Sequence, residues 1–100
     1  MAFQLRLVQK FDPSKREEFL EIEKEFAAFE AEHGLPRGRR LAPFAGKEPT
    51  NTLVWEHEFE TMDELTRCYS AVYAHPVHEA LLARQSPLMR DCFVEIYETL

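Results

Sequence analysis

The sequence has few cysteines, few glycines and a deficit of basic residues. It contains two cysteines and three glycines, and its formal net charge is -6. Two thiols without a second Cys or His pair are too few ligands for a zinc site, so we interpret Cys68 and Cys92 as reduced core residues and expect no metal. The negative charge repels phosphate groups, and we therefore expect no nucleic-acid partner.

Long apolar runs are also missing. No stretch approaches the roughly 20 apolar residues of a membrane-spanning helix. The first ten residues, MAFQLRLVQK, alternate apolar and polar side chains instead of forming the apolar segment of a secretory signal. We therefore expect a cytoplasmic protein without a membrane partner. A chain of 100 residues with 45% hydrophobic and 30% charged residues is typical of one globular domain, which we place at 1–100.

Hydrophobic periodicity predicts the element order β-α-β-β-α-β. Alternating apolar and polar residues indicate strands, and apolar residues every three or four positions indicate helices. The second strand contains a proline, which favours the edge of a sheet. The predicted strands are 3–11, 37–46, 52–60 and 91–99, and the predicted helices are 14–33 and 61–75, followed by a short helical turn at 77–83.

Helix termini carry recognisable end signals. Ser14 with Glu17, and Thr61 with Glu64, fit capping boxes, in which each side chain pairs with a free backbone N–H at the start of a helix. Gly34 can take the left-handed conformation that ends a helix. These signals predict where both helices begin and where the first one ends.

Right-handed crossovers between these elements give an antiparallel sheet of order 4-1-3-2 with both helices on one face, a ferredoxin-like α+β fold. The other face is left open. Alternation assigns Leu5, Leu7, Trp55, Phe59, Val94 and Ile96 to the helix face, and Arg6, Val8, Glu56, Glu58, Phe93, Glu95 and Tyr97 to the open face. Such a mixture of aromatic and charged groups is too apolar to leave in water, so we expect a homodimer in which a second copy covers it.

From the third strand onward the sequence resembles the NIPSNAP-like proteins. These belong to the dimeric α/β-barrel superfamily, together with the antibiotic-biosynthesis monooxygenases. The resemblance implies a ferredoxin-like protomer and a dimer whose two sheets close a barrel, but it supplies no catalytic residues and no cofactor. The residues that carry it are Leu53, Val54, Trp55, Phe59, Met62, Asp63, Glu64, Leu65, Arg67, His75, Pro76, Ser86, Pro87 and Leu88.

Two histidines near the end of the second helix are candidate ligand-binding residues. In the monooxygenase relatives a pocket lies between sheet and helices, so the resemblance implies that His75 and His78 can orient a ligand or move a proton. Alternatively, His75 only ends the helix and His78 lies in solvent. Tyr69 and Tyr73 are one turn apart, and at least one of the two hydroxyls can reach the same pocket, although the spacing does not say which. Trp55 is either a pocket wall or a core anchor.

A second candidate set lies on the open face. Arg6 is predicted to lie beside Glu56, Glu58 and Glu95 on neighbouring strands. An arginine among carboxylates can hold an acidic ligand, or the crowded carboxylates can raise the pKa of one of them. The alternative is an ion-pair network that fixes the register of the dimer. We count Arg6 and Glu58 among the ligand-binding candidates.

Two function classes follow. The favoured one is a homodimeric NIPSNAP-like domain that binds a small apolar or aromatic molecule or serves as a structural module. The alternative is a cofactor-independent monooxygenase or isomerase of the antibiotic-biosynthesis monooxygenase type. Its candidates are the pocket residues His75, His78, Tyr73 and Trp55, and the sequence identifies no catalytic residue.

Overall fold

A computed structural model describes residues 2–100. Within that range no helix is long and apolar enough to cross a membrane. The elements are β1 (Phe3–Phe11), α1 (Arg16–Glu32), β2 (Arg39–Leu41), β3 (Thr52–Phe59), α2 (Met62–Ala74), α3 (Pro76–Gln85) and β4 (Met89–Glu98). Short 3-10 turns precede α1 at Pro13–Lys15 and β4 at Ser86–Leu88.

The four strands form one antiparallel sheet in the order β2-β3-β1-β4. This confirms the predicted α+β, ferredoxin-like arrangement, with the second strand at an edge. Strand β1 is central, and its register places Arg6 between Glu56 and Glu95 and places Leu7 between Trp55 and Val94. Because side chains alternate between faces, these two rows lie on opposite sides of the sheet.

The start of α1 differs from the prediction. The Asp12 carboxylate accepts hydrogen bonds from the backbone N–H of Ser14 at 2.9 Å and from its hydroxyl at 2.8 Å. These bonds open a 3-10 turn, and α1 begins after it at Arg16, without a side-chain cap from Lys15. The capping box of Ser14 with Glu17 was therefore wrong, because Ser14 lies inside the 3-10 turn and the residue before α1 is Lys15.

Two other predicted helix ends are confirmed. The Thr61 hydroxyl accepts a hydrogen bond from the backbone N–H of Glu64 at 3.1 Å and caps α2. Gly34 follows α1 with φ of 64°, the left-handed conformation that glycine adopts at low cost.

The second predicted helix is divided at Pro76. His75 has extended backbone angles, φ -79° and ψ 129°, as expected for a residue before proline. Its ring then caps the next helix, because Nδ1 accepts a hydrogen bond from the backbone N–H of Val77 at 3.1 Å. The predicted short turn at 77–83 is a complete helix of ten residues, α3.

The main core lies between α1, α3 and one end of the sheet. The rings of Phe11 and Phe19 stack there with centroids 4.6 Å apart, and both side chains are buried. Burying each such ring contributes about 1.5–3 kcal/mol. The buried members of this core are Phe11, Phe19, Ile22, Phe26, Phe29, Leu53, Leu81 and Leu88. A smaller cluster of Leu5, Phe59 and Leu65 fixes α2 to the sheet.

The sheet faces are covered less evenly than predicted. Val94 and Ile96 are 41% and 47% exposed, because α2 packs over β1 and β3 and leaves β4 uncovered. The prediction that helices cover Val94 and Ile96 was wrong. On the other face, Val8 is only 2% exposed in the single chain. A 2.8 Å ion pair of Lys10 with Glu48 brings the β2–β3 segment across part of that face. The open face is therefore smaller than predicted.

Candidate functional site

A cavity of about 100 Å³ lies between the helices and the sheet. An apolar cavity of about 150 Å³ holds one benzene molecule, so this volume suits a single small ring or a fragment of similar size. Most of the wall is apolar. Strands contribute Leu5, Leu7, Trp55 and Val94, and helices contribute Phe26, Val72 and Leu82.

A charged cluster forms part of the cavity wall, where Arg40 on β2 meets α1. The Arg40 Nε donates to Glu23 Oε2 at 2.8 Å, and its terminal nitrogens donate to the two Glu30 oxygens at 3.2 and 3.0 Å. The side chains are 21%, 7% and 12% exposed for Arg40, Glu23 and Glu30. One buried and one partly buried carboxylate, on Glu23 and Glu30, thus share one guanidinium.

Three further polar side chains on the wall have unpaired atoms. Gln85 Nε2 donates to Glu23 Oε1 at 2.8 Å, which fixes the amide because a carboxylate oxygen can only accept. Gln85 Oε1, Gln9 Oε1 and His78 Nδ1 are buried and have no hydrogen-bond partner within residues 2–100. A buried polar group without a partner costs about 1–3 kcal/mol, and a bound molecule with suitable polar groups would recover part of that.

The protonation of this wall follows from its burial. Burial lowers the pKa of His78 from its ordinary 6.5, although the nearby Glu23 carboxylate opposes the change. His78 is therefore mostly neutral at pH 7. Burial raises the pKa of Glu30 despite its pairing with Arg40. Burial, together with a hydrogen bond to Tyr69, raises the pKa of Tyr73, which keeps that phenol protonated.

The structure brings three of the four sequence-derived pocket candidates together. His78, Tyr73 and Trp55 all line the cavity, and the rings of Tyr73 and His78 are 4.6 Å apart. His78 is only 9% exposed, so the alternative interpretation, in which it lies in solvent, is wrong. His75 does not line the cavity. Its ring packs 4.8 Å from Phe29 and caps α3, which matches the alternative in which it serves the helix boundary.

The Arg6 set lies on the opposite face of the sheet. Arg6 Nε is 3.4 Å from Glu56 Oε2, and its NH1 is 3.5 Å from Glu95 Oε1. Glu58 lies across from Gln4 in the β1–β3 register and forms no ion pair with Arg6 within the described chain. The geometry is an ion-pair network spanning three strands, separate from the cavity.

The sequence analysis did not predict the charged cluster on the cavity wall. Glu23 is four residues after Phe19 and three before Phe26, so it interrupts the buried stripe of α1 with a charge. That interruption was a usable signal, because a carboxylate is almost never buried without a partner. Nothing in the sequence pattern points to Arg40 as that partner, since the two meet only through the chain reversal after α1.

A metal centre has no support in residues 2–100. The structure places no group of three or more His, Cys, Asp or Glu side chains there so that they could hold a metal ion.

Comparison with known proteins shows similarity in three-dimensional structure. No protein-family model and no curated protein matches the chain. A NIPSNAP family protein from Agrobacterium tumefaciens is similar over 99% of this chain and 86% of its own, with a TM-score of 0.79 and 14% identity. A NIPSNAP-like domain protein from Burkholderia xenovorans is similar over 99% of this chain and 85% of its own, with a TM-score of 0.74 and 18% identity.

A solved structure from Nitrosomonas europaea, described as a putative antibiotic biosynthesis monooxygenase, covers 99% of this chain and 90% of its own. Its TM-score is 0.72 and its identity is 13%. These likenesses confirm the resemblance in fold, because the chain has the ferredoxin-like architecture of NIPSNAP family proteins.

The shared guanidinium gives a prediction about stability. Replacing Arg40 with Met should lower the free energy of unfolding at pH 7 by about 3–5 kcal/mol, because the buried Glu23 and the partly buried Glu30 lose their counterion. The folded variant then binds protons more tightly than the unfolded chain, so lowering the pH from 7 to 5 should recover part of the loss. Urea unfolding followed by circular dichroism at the two pH values measures both effects.

The matched control is Arg84→Met. Arg84 also forms two hydrogen bonds with one carboxylate, that of Glu25, at 2.9 and 2.8 Å, but on the surface. That pair lies in solvent, so its loss should change stability little. An equal decrease in the free energy of unfolding of the two variants would contradict the view that burial makes the Arg40 ion pairs the more important ones.

Proposed function

We propose that this chain is a homodimeric small-molecule-binding module whose cavity holds a small apolar or aromatic ligand. The observation that carries the proposal is the combination of an apolar wall with three buried, unpaired polar atoms, on Gln9, His78 and Gln85. Binding sites are generally apolar recesses in which a few polar groups fix the orientation of the ligand. A purely structural module has no need of unpaired buried acceptors, which lower its stability.

A cytoplasmic location is part of this proposal. Cys68 and Cys92 are free thiols, and Cys92 is exposed. Exposed free thiols persist in the reducing cytosol and tend to become oxidised outside it.

Filling the cavity should abolish binding. Val94 lines the cavity and is 41% exposed, so the larger side chain of Val94→Trp can enter the cavity without disrupting the core. The wild-type protein should bind at least one single-ring probe among benzyl alcohol, benzoate and benzylammonium, and Val94→Trp should lose that binding. Titrations followed by amide NMR shifts measure it.

The control is Val77→Trp, since Val77 is similarly exposed at 43% but does not line the cavity. It should bind as the wild type does. If the wild type binds none of the three probes, or if Val94→Trp binds unchanged, the cavity is not a ligand site.

We also propose that two copies pair through the open face of the sheet. Tyr97 is 50% exposed there, and the guanidinium of Arg6 lies 5.9 Å from the centre of its ring. Glu95 accepts a hydrogen bond from the Tyr97 hydroxyl at 3.1 Å and pairs with Arg6. An aromatic patch ringed by charges of both signs suits a two-fold interface, in which the same surface must complement itself.

Two substitutions on one strand test this interface. Tyr97→Glu adds a charge to the open face, whereas Ile96→Glu adds the same charge to the helix face of β4. Tyr97→Glu should produce a monomer, and Ile96→Glu should remain a dimer, as measured by light scattering on a sizing column. A monomeric wild type would refute the dimer, and a monomer from Ile96→Glu alone would place the interface on the other face.

The second candidate is a cofactor-independent monooxygenase or isomerase. It is favoured by His78, whose imidazole is mostly neutral at pH 7 and has an unpaired Nδ1 at the cavity. Such a base beside an apolar wall suits abstraction of a proton from a bound carbon acid.

The enzyme candidate predicts proton exchange by a bound carbon acid. The wild-type protein should accelerate exchange of the acidic C–H protons of 4-hydroxyphenylacetone in deuterium oxide, as followed by proton NMR. His78→Gln should remove the acceleration, and the wild-type rate should fall on acidification as His78 becomes protonated. An exchange rate equal to that of buffer alone would leave only the binding function.

A further inference from the structure

We infer that the cavity selects uncharged ligands that donate hydrogen bonds, such as a single-ring alcohol or phenol, over carboxylates of the same size. This inference rests on the proposed binding function and specifies its ligand class. It follows from which polar atoms of the wall are already engaged and which remain free.

The charged atoms of the wall are engaged with each other. Glu23 accepts from Gln85 at one oxygen and from Arg40 at the other, each at 2.8 Å. Both oxygens of Glu30 accept from Arg40 at 3.2 and 3.0 Å. Arg40 also donates to the Arg37 carbonyl at 3.1 Å, so four of its five N–H groups are used. One guanidinium shared by two carboxylates leaves no positive charge free to pair with an anionic ligand.

Two of the free atoms are amide oxygens, which are neutral acceptors. Gln85 is 0% exposed and Gln9 is 5% exposed, and their Oε1 atoms are unpaired within residues 2–100. The Gln85 amide cannot turn to offer its N–H groups, because they face the Glu23 carboxylate. A hydroxyl group can donate to such an oxygen, and the unpaired Nδ1 of His78 adds a neutral nitrogen to the same wall.

A carboxylate ligand meets a penalty at this wall. Its oxygens would face the free amide oxygens, which are acceptors as well, and it would add a third negative charge beside Glu23 and Glu30. Burying that charge without a free cation costs far more than burying a hydroxyl. An uncharged donor pairs with the amide oxygens without that cost.

The size of the cavity sets a second limit. A volume of about 100 Å³ admits the buried part of a single-ring molecule. Tyr73 and Val94, which line the cavity, are each 41% exposed, so a longer substituent can extend past them into solvent.

Three probes that share one ring test the charge selection. Benzyl alcohol, benzoate and benzylammonium differ mainly in the charge of the group on the ring. Titration of the full chain at pH 7, followed by amide NMR shifts, should show benzoate binding at least about tenfold more weakly than the alcohol, a difference of about 1.4 kcal/mol. Benzylammonium should bind more tightly than benzoate, because its charge has the opposite sign. Benzoate binding as tightly as the alcohol would overturn the inference and would leave the binding function standing.

A variant tests the role of the amide oxygens. Gln9→Leu removes one free acceptor and breaks no hydrogen bond described for residues 2–100, whereas Gln85 also supports Glu23. The variant should bind benzyl alcohol about 2- to 10-fold more weakly and should bind toluene as well as the wild type does. The matched control is Gln4→Leu, on the same strand but on the open face, which should change neither affinity.

The outcomes separate the two proposals. Equal weakening of toluene and benzyl alcohol in Gln9→Leu would show a change of shape, and it would overturn the role of the amide. Absence of binding by all three single-ring probes would overturn the binding function and, with it, this inference.

Discussion

The ion pairs of Arg40 are the contacts on which the polar wall of the cavity depends. Arg40 lies on the edge strand β2, and its guanidinium bonds to two carboxylates on α1, so it links the edge of the sheet to the longest helix. One of those carboxylates, on Glu23, accepts a hydrogen bond from the amide of Gln85 on α3. A single partly buried cation thus connects side chains from three elements. Apolar contacts alone would orient these side chains less well, because dispersion has little directional preference.

The two sides of the sheet carry different kinds of polar chemistry. On the helix side, the buried charges pair among themselves and leave neutral acceptors facing an apolar recess. On the other side, Arg6 lies between Glu56 and Glu95 on the two neighbouring strands, at distances of 3.4 and 3.5 Å. That network is partly exposed to water, which screens it and makes its geometry adaptable. Alternation along β1 separates the two chemistries by a single backbone layer.

Most of the fold could be predicted from the sequence because periodicity is a local property. The alternating run at β3 and the apolar stripe of α1 identify their elements without knowledge of any partner. The start of α1 was misplaced because Asp12 and Ser14 offer competing caps, and sequence alone does not rank them. Exposure of Val94 was missed for a different reason. Alternation gives the face of a strand but not the width of the helix layer that covers it.

The candidate site was only partly predictable. The resemblance placed His75 and His78 at a pocket, and of the two only His78 lines the cavity. The polar wall was not foreseen, since Glu23, Arg40 and Gln85 are distant in sequence and each alone has the character of a surface residue. Their meeting depends on tertiary geometry. The charge within the apolar stripe of α1 was the one local sign of it.

The ring of His75 has a consequence for how α3 faces the cavity. Its Nδ1 accepts the first free N–H of that helix, so in the neutral imidazole the proton must lie on Nε2. The cap lies at the first turn of α3, where Pro76 begins the helix. A helix turns through about 100° per residue, so insertion of one residue after Pro76 would swing His78 and Gln85 away from the recess together. The residue at which α3 begins therefore decides which of its side chains face the recess.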